Sequence, residues 1–191
     1  MNSFYNEEEI RQLGIKCVGK NVLISKKTSI YGAEEIEIGN NVRIDDFCIL
    51  SGRIVIGNYV HIAAYTGLFG GQEGIYIEDY AGISSKSMVY ASSDDYSGEV
   101  MTNPTIKDKY KKVIQEKVVV GKNAIIGSGC VILPGVVVGE GAAIGSMSLI
   151  NKNIEPWTMN KGIPCKKYKD RSKRLLDLQK EFENERKSDY E

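Results

Sequence analysis

The sequence predicts an all-β solenoid of about six three-sided coils. Two observations carry that expectation: an aliphatic residue at every sixth position, and a second column of small or β-branched residues four places after it. The aliphatic frame runs in four blocks. They are Val18, Ile24 and Ile30; Ile38, Ile44, Leu50, Ile56, Ile62 and Leu68; Ile77, Ile83 and Val89; and Val120, Ile126, Ile132, Val138, Ile144 and Ile150. The second column includes Val42, Cys48, Val60, Thr66, Ala81, Ser87, Ala124, Cys130, Ala142 and Ser148, with Glu34 and Gln72 as exceptions. Six is a multiple of the two-residue strand period, so every frame residue turns to the same side of a short strand. Three such strands close one coil, and the eighteen frame positions make six stacked coils with aliphatic side chains inside.

Ahead of the first frame, residues 1–17 read as a helical cap. Asn6 followed by Glu7, Glu8 and Glu9 is a helix start, with Ile10 and Leu13 on one face to cover the open end of the stack. The repeat occupies 18–169. Two residues are inserted after the first coil, three around Gly74, and a non-repeating stretch of residues 95–119 is thrown out as a loop. Long loops on a rigid scaffold commonly carry function. Behind the repeat, residues 170–191 hold Leu175, Leu176, Leu178 and Phe182 among many charges, the pattern of an amphipathic helix packed on the coil surface.

Composition narrows the function classes. Lysine plus arginine (25) balances aspartate plus glutamate (25), so no net field draws the 191-residue chain to nucleic acid or an anionic membrane. An anionic ligand must be met locally. No apolar run approaches the roughly 20 residues of a membrane span, and the acidic opening MNSFYNEEEI is unlike an export signal, which leads to the expectation of a soluble cytoplasmic protein. The four cysteines, Cys17, Cys48, Cys130 and Cys165, have no CxxC spacing and read as reduced thiols filling small core sites. With His61 as the one histidine, no metal site is expected.

The segments IGNNVRI, IGNYVHI, VGKNAIIGSGCVILPGVVVGEGAAIGSMSLI and KGIPCKKYK resemble those of hexapeptide-repeat acyltransferases, above all galactoside, maltose and polysaccharide O-acetyltransferases. The resemblance implies a left-handed parallel β-helix, a choice of hand that periodicity alone does not supply. It also implies acetyl transfer from acetyl-CoA to a sugar hydroxyl, in a homotrimer whose three active sites lie in grooves between subunits. Lys166 and Lys169 match family positions that hold the coenzyme phosphates. Ser128, Ser146, Asn151 and Lys152 match positions lining its pantetheine arm.

The chain departs from that family at one point. Asp94 stands where the galactoside and maltose enzymes carry a catalytic histidine just before the loop. Glu73 and Asp94 close frames on the same side of consecutive coils, whereas His61 closes a frame on a different side. A side of six residues spans roughly 20 Å, too far for His61 to reach Asp94 within one prism. The expectation is therefore that His61 of one subunit, as general base, faces Asp94 and Glu73 of the next, with these carboxylates orienting the imidazole or binding the sugar. Asp95 and Tyr96 join the substrate-binding set by adjacency. Trp157 is read as a packing residue of the last coil. Three other functions bear on the same pattern. A γ-type carbonic anhydrase needs three histidines around its metal and is excluded. An N-acetyltransferase of a nucleotide-linked amino sugar would tolerate loss of the usual histidine, because an amine attacks with less help. A non-catalytic β-helix binding protein is the third.

Overall fold

The computed structural model describes residues 3–188. Its eighteen frame residues fall into three columns of six, defined by strand register rather than by chain order. The first face stacks Val18, Ile38, Ile56, Ile77, Val120 and Val138. The second stacks Ile24, Ile44, Ile62, Ile83, Ile126 and Ile144. The third stacks Ile30, Leu50, Leu68, Val89, Ile132 and Ile150. All these pairings are parallel, so each coil donates backbone hydrogen bonds to the next, as from Gly39 N–H to the Ile56 carbonyl at 2.8 Å.

Burial follows the sequence pattern. Every frame residue except the partly buried Val18 and Ile30 is buried, and so are all ten residues named for the second column. Each fully buried isoleucine contributes roughly 1.5–3 kcal/mol, and a wider side chain in the second column would have no room beside it. The stack is one turn longer than the six expected. Ile154 continues the first column beside Val138, and Asn160 continues the second beside Ile144. Asn160 is buried, and its amide donates to the Thr158 hydroxyl at 2.8 Å, so the closing turn ends the apolar column with a satisfied polar pair.

The edges differ in kind. On the edge between third and first faces, the strands Ile49–Ile56 and Gly67–Ile77 run round the corner unbroken, with Gly52 in the left-handed region at φ +75°. A Cβ on Gly52 would lie 2.8 Å from the Gly71 carbonyl oxygen, so only glycine lets the coils approach there. From this same edge the long insertion leaves the column. It begins and ends as an antiparallel pair, Ser92–Asp94 with Val113–Gln115, and the repeat resumes with the strand Val118–Val120.

Helices finish the two ends. Helix α1, Glu7–Gln12, carries a capping box: the Asn6 side chain accepts from Glu9 N–H at 2.9 Å, while the Glu9 carboxylate accepts from Asn6 N–H at 2.8 Å. It buries Ile10, and Tyr5, Leu13 and Ile15 pack against the first coils. Helix α2, Leu175–Ser188, lies along the edge between first and second faces. There Tyr59 stacks on Tyr80 with centroids 4.9 Å apart, and Phe182 meets Tyr59 edge-on at 5.5 Å. Trp157 packs over Gly141 on that edge. The cysteines depart from the expectation in part. Cys48 and Cys130 are buried in the core, but Cys17 is exposed, because it precedes Val18 and so turns outward on its strand.

Candidate functional site

Because Ile62 points inward, His61 on the same short strand points out of the second face. Its Nε2 lies 2.7 Å from Asp45 Oδ2 on the coil before, and Arg43 Nε donates to Asp45 Oδ1, also at 2.7 Å. One carboxylate thus ties a guanidinium and an imidazole together. Burial pushes the Asp45 carboxyl up, but the hydrogen bonds and charges of Arg43 and His61 outweigh it and hold Asp45 below the usual carboxylate value. The Asp45 side chain is 19 % exposed, while that of His61 is 52 % exposed and remains open to a ligand. A neutral ring donating Nε2–H to this carboxylate keeps its lone pair on Nδ1, the arrangement a general base requires.

The surroundings of His61 are open. Gly82 pairs with it on the next coil, and a Cβ there would touch nothing within 4 Å. Above lies a groove of about 580 Å³ under α2, walled by Tyr59, Tyr80, Ile125, Leu178 and Phe182. Ser84, half-buried, follows Ile83 as Asp45 follows Ile44, so it faces outward on the same side as His61.

Asp94 and Glu73 occupy the edge where the insertion departs. Asp94 is paired with Val113, and its Oδ2 accepts from Asn103 N–H at 3.2 Å. Gln115, opposite Ser92, accepts from Gln72 N–H at 3.3 Å, bridging the segment that carries Glu73 to the arm that carries Asp94. Asp95 holds the Ser97 hydroxyl at 2.5 Å, and Tyr96 is 92 % exposed at the start of the arm. Asp94 and His61 therefore sit on different sides of the prism, as their frame positions require.

Four of the six expected coenzyme contacts divide between the two edges of the third face, and the other two lie on a strand that extends the sheet of the second face. Exposed Ser128 and Ser146 share the edge after the second face, where Met147 N–H donates to the Ser128 carbonyl at 2.9 Å. Exposed Asn151 and Lys152 follow Ile150, on the edge that lower down carries Glu73 and Asp94. Lys166 and Lys169 lie on an exposed strand, Lys166–Asp170, that folds back antiparallel on Thr158–Lys161 beyond the second face. Lys167 between them is occupied by Asp170 at 2.8 Å and Glu155 at 3.5 Å. Among the described residues no group of three or more His, Cys, Asp or Glu is arranged to hold a metal, and no helix is long and apolar enough to cross a membrane.

The pairing of Asp45 with His61 is what sequence reasoning passed over. It was legible in principle: Asp45 precedes Ala63 by one eighteen-residue coil, which sets it on the row beside His61. The frame positions put forward Asp94 and Glu73 of a neighbouring subunit as the carboxylates that orient the ring. Within the chain, Asp45 does so.

The chain resembles known proteins over its whole repeat. The bacterial transferase hexapeptide (six repeats) family matches residues 35–70 and 117–152. The chain is 45 % identical over 183 residues to dTDP-4-amino-4,6-dideoxy-D-glucose acyltransferase of Escherichia coli, covering 94 % of this chain and 95 % of that one. It is 51 % identical to AntD, an N-acyltransferase from Bacillus cereus, with a TM-score of 0.95 and coverage of 97 % of this chain and 100 % of that one. Structures of AntD include a D94A variant with dTDP and coenzyme A, an S84A variant with dTDP-4-amino-4,6-dideoxyglucose and coenzyme A, and a complex with dTDP and 3-hydroxybutyryl-CoA.

Proposed function

The chain belongs to the hexapeptide-repeat sugar acyltransferase family, and from that premise we propose that it transfers an acyl group from acyl-coenzyme A to the amino group of a 4-amino-4,6-dideoxyhexose carried on thymidine diphosphate. The observation that carries this reading is the 45 % identity, over 94 % of the chain, to an acyltransferase of that acceptor. It replaces the expectation of O-acetylation and favours the amino-sugar alternative. Asp94 in place of a histidine supports it, because an amine needs less help from a base than a hydroxyl does. An aspartate at 94 and a serine at 84 also stand at the numbers altered in the AntD variants.

In this reaction the amine lone pair attacks the thioester carbonyl and an N–C bond forms. The C–S bond then breaks, and the nitrogen proton ends on the coenzyme sulfur. The reading gives Asp94 the task of accepting an amine N–H, with Glu73, Asp95 and Tyr96 around the sugar. His61, held by Asp45, receives the proton at Nδ1 and returns it to the departing thiolate. Since His61 and Ser84 share one face and Asp94 lies on another edge, the reading requires two prisms side by side, and a homotrimer supplies three such seams. Ser128, Ser146, Asn151 and Lys152 line the pantetheine arm, and Lys166 and Lys169 neutralise the coenzyme phosphates.

The test is thiol release from acetyl-CoA and 3-hydroxybutyryl-CoA with dTDP-4-amino-4,6-dideoxyglucose, beside the same nucleotide sugar bearing a 4-hydroxyl. Release with the amine alone is expected. Release with the hydroxyl sugar, or with neither, overturns the reading.

A further inference from the structure

One outward row of the third face carries aromatic rings with a gap. Strand register aligns Tyr31 with Ser51, Ser51 with Phe69, and Phe69 with Tyr90 on four successive coils. Phe69 and Tyr90 are stacked nearly parallel, with centroids 5.0 Å apart and planes 8° from parallel. That step is the spacing of neighbouring strands, about 4.7–4.9 Å, so the ladder sets the pitch of the aromatic stack. At Ser51 the stack misses one member, and Tyr31, 60 % exposed, stands one coil further down.

Between Tyr31 and Phe69 there are two strand steps, about 9.5 Å. A planar ring lying over Ser51 would have an aromatic neighbour at about one step on either side. The row also ends at the edge that carries Glu73 one coil above the gap and Asp94 two coils above it. Next to it, Gly32, Gly52 and Gly71 turn the corner without side chains, in left-handed backbone. On the same edge lies a polar cavity of about 440 Å³ lined by Lys16, Arg53 and Gln72 together with Glu34, Glu35 and Glu37, and Lys16 is already paired with Glu37 at 2.7 Å.

Resting on the acceptor assigned under Proposed function, we propose that the nucleobase of the sugar nucleotide slides between Tyr31 and Phe69 over Ser51, completing the aromatic stack and leaving the sugar to extend toward Asp94. Stacking is tolerant of ring identity, so the slot supplies affinity for a base while the edge positions the amino sugar.

The experiment is calorimetric titration with thymidine diphosphate and, separately, inorganic pyrophosphate, on the intact protein and two variants. Ser51→Phe fills the gap, and Tyr31→Ala removes its floor. Both sites face solvent or are half-buried, so folding is checked by unchanged thermal stabilisation by coenzyme A. Each variant is expected to weaken thymidine diphosphate binding by about tenfold or more, with pyrophosphate binding unchanged. Undiminished thymidine diphosphate binding in both variants overturns the slot and leaves the acceptor reading intact. Failure of the intact protein to bind thymidine diphosphate overturns both.

Discussion

Asp45 and His61, sixteen residues apart in sequence, meet at 2.7 Å on neighbouring coils, and the same carboxylate is gripped on its other oxygen by Arg43. The ring is thus fixed in place without being buried. Replacing Asp45 by Asn leaves an amide that can donate to the ring as well as accept from it, so the ring no longer has one preferred tautomer. Asp45→Asn is expected to lower kcat for the amino sugar by about tenfold or more, with a smaller change in KM, and Asp45→Glu to restore part of it. Acceptor-dependent thiol release across a pH series is the measurement. An unaltered profile in Asp45→Asn removes His61 from the path of the proton.

The same pair has a consequence for stability. The folded-state value of Asp45 lies below its ordinary 3.8, so its contribution is present above that value and is lost as pH falls through the depressed folded value. Asp45→Asn should therefore be less stable than the parent at neutral pH, with the gap closing below about pH 3.8. Glu9, Glu37, Asp46 and Asp170 are also held low by lysine partners, but their side chains are more open to solvent than that of Asp45, and salt screens them. Acid unfolding at low and high salt separates the two: the part due to Asp45 should persist in salt. A gap between parent and variant that stays constant from pH 7 to pH 2 would contradict the assignment.

Asp94 yields a prediction that distinguishes binding from chemistry. Among the described residues its carboxylate accepts from one backbone donor, Asn103 N–H at 3.2 Å, and so keeps capacity for a ligand amine. Asp94→Asn preserves shape and can keep the Asn103 contact, but it removes the negative charge. The expected loss in kcat/KM for the amino sugar is roughly a hundredfold, with thymidine diphosphate affinity within about twofold of the parent. Equal losses in both quantities would mean that Asp94 only shapes the nucleotide site.

Most of the prism was legible because its core admits one solution: Ile44, Ile62 and Ile83 are eighteen or more residues apart, yet each must present a branched aliphatic at the same corner of the stack. The closing turn was not legible, since Asn160 sits in the aliphatic column and satisfies itself on Thr158 instead of following the rhythm. Nor was the base of the arm, where Ser92 pairs with Gln115 across the whole insertion, a long-range antiparallel contact that no local period encodes. At the site, His61 was conspicuous as the lone imidazole. Its partner Asp45 looked like any surface acid until the coils were laid in register.

Thiol chemistry gives an independent check on that register. Cys48 fills the second column, with Sγ 3.3 Å from the Ala63 carbonyl oxygen, and burial pushes its thiol up to about 11. Cys130 occupies the equivalent place three coils on, and burial raises it as well. Cys17 faces solvent, and Cys165 lies partly buried where the chain turns back toward Thr158. Reaction requires both access and thiolate, so an aromatic disulfide reagent at pH 8 should label Cys17 fastest and Cys165 more slowly. Cys48 and Cys130 should react only at the rate of global unfolding. Accelerated labelling of Cys48 in Ile62→Ala, which opens a cavity in the adjacent coil and costs about 2–5 kcal/mol, would follow from the loss of stability. Fast labelling of Cys48 in the intact protein would instead place it outside the column, and the frame from Ile38 to Leu68 would then have to be shifted.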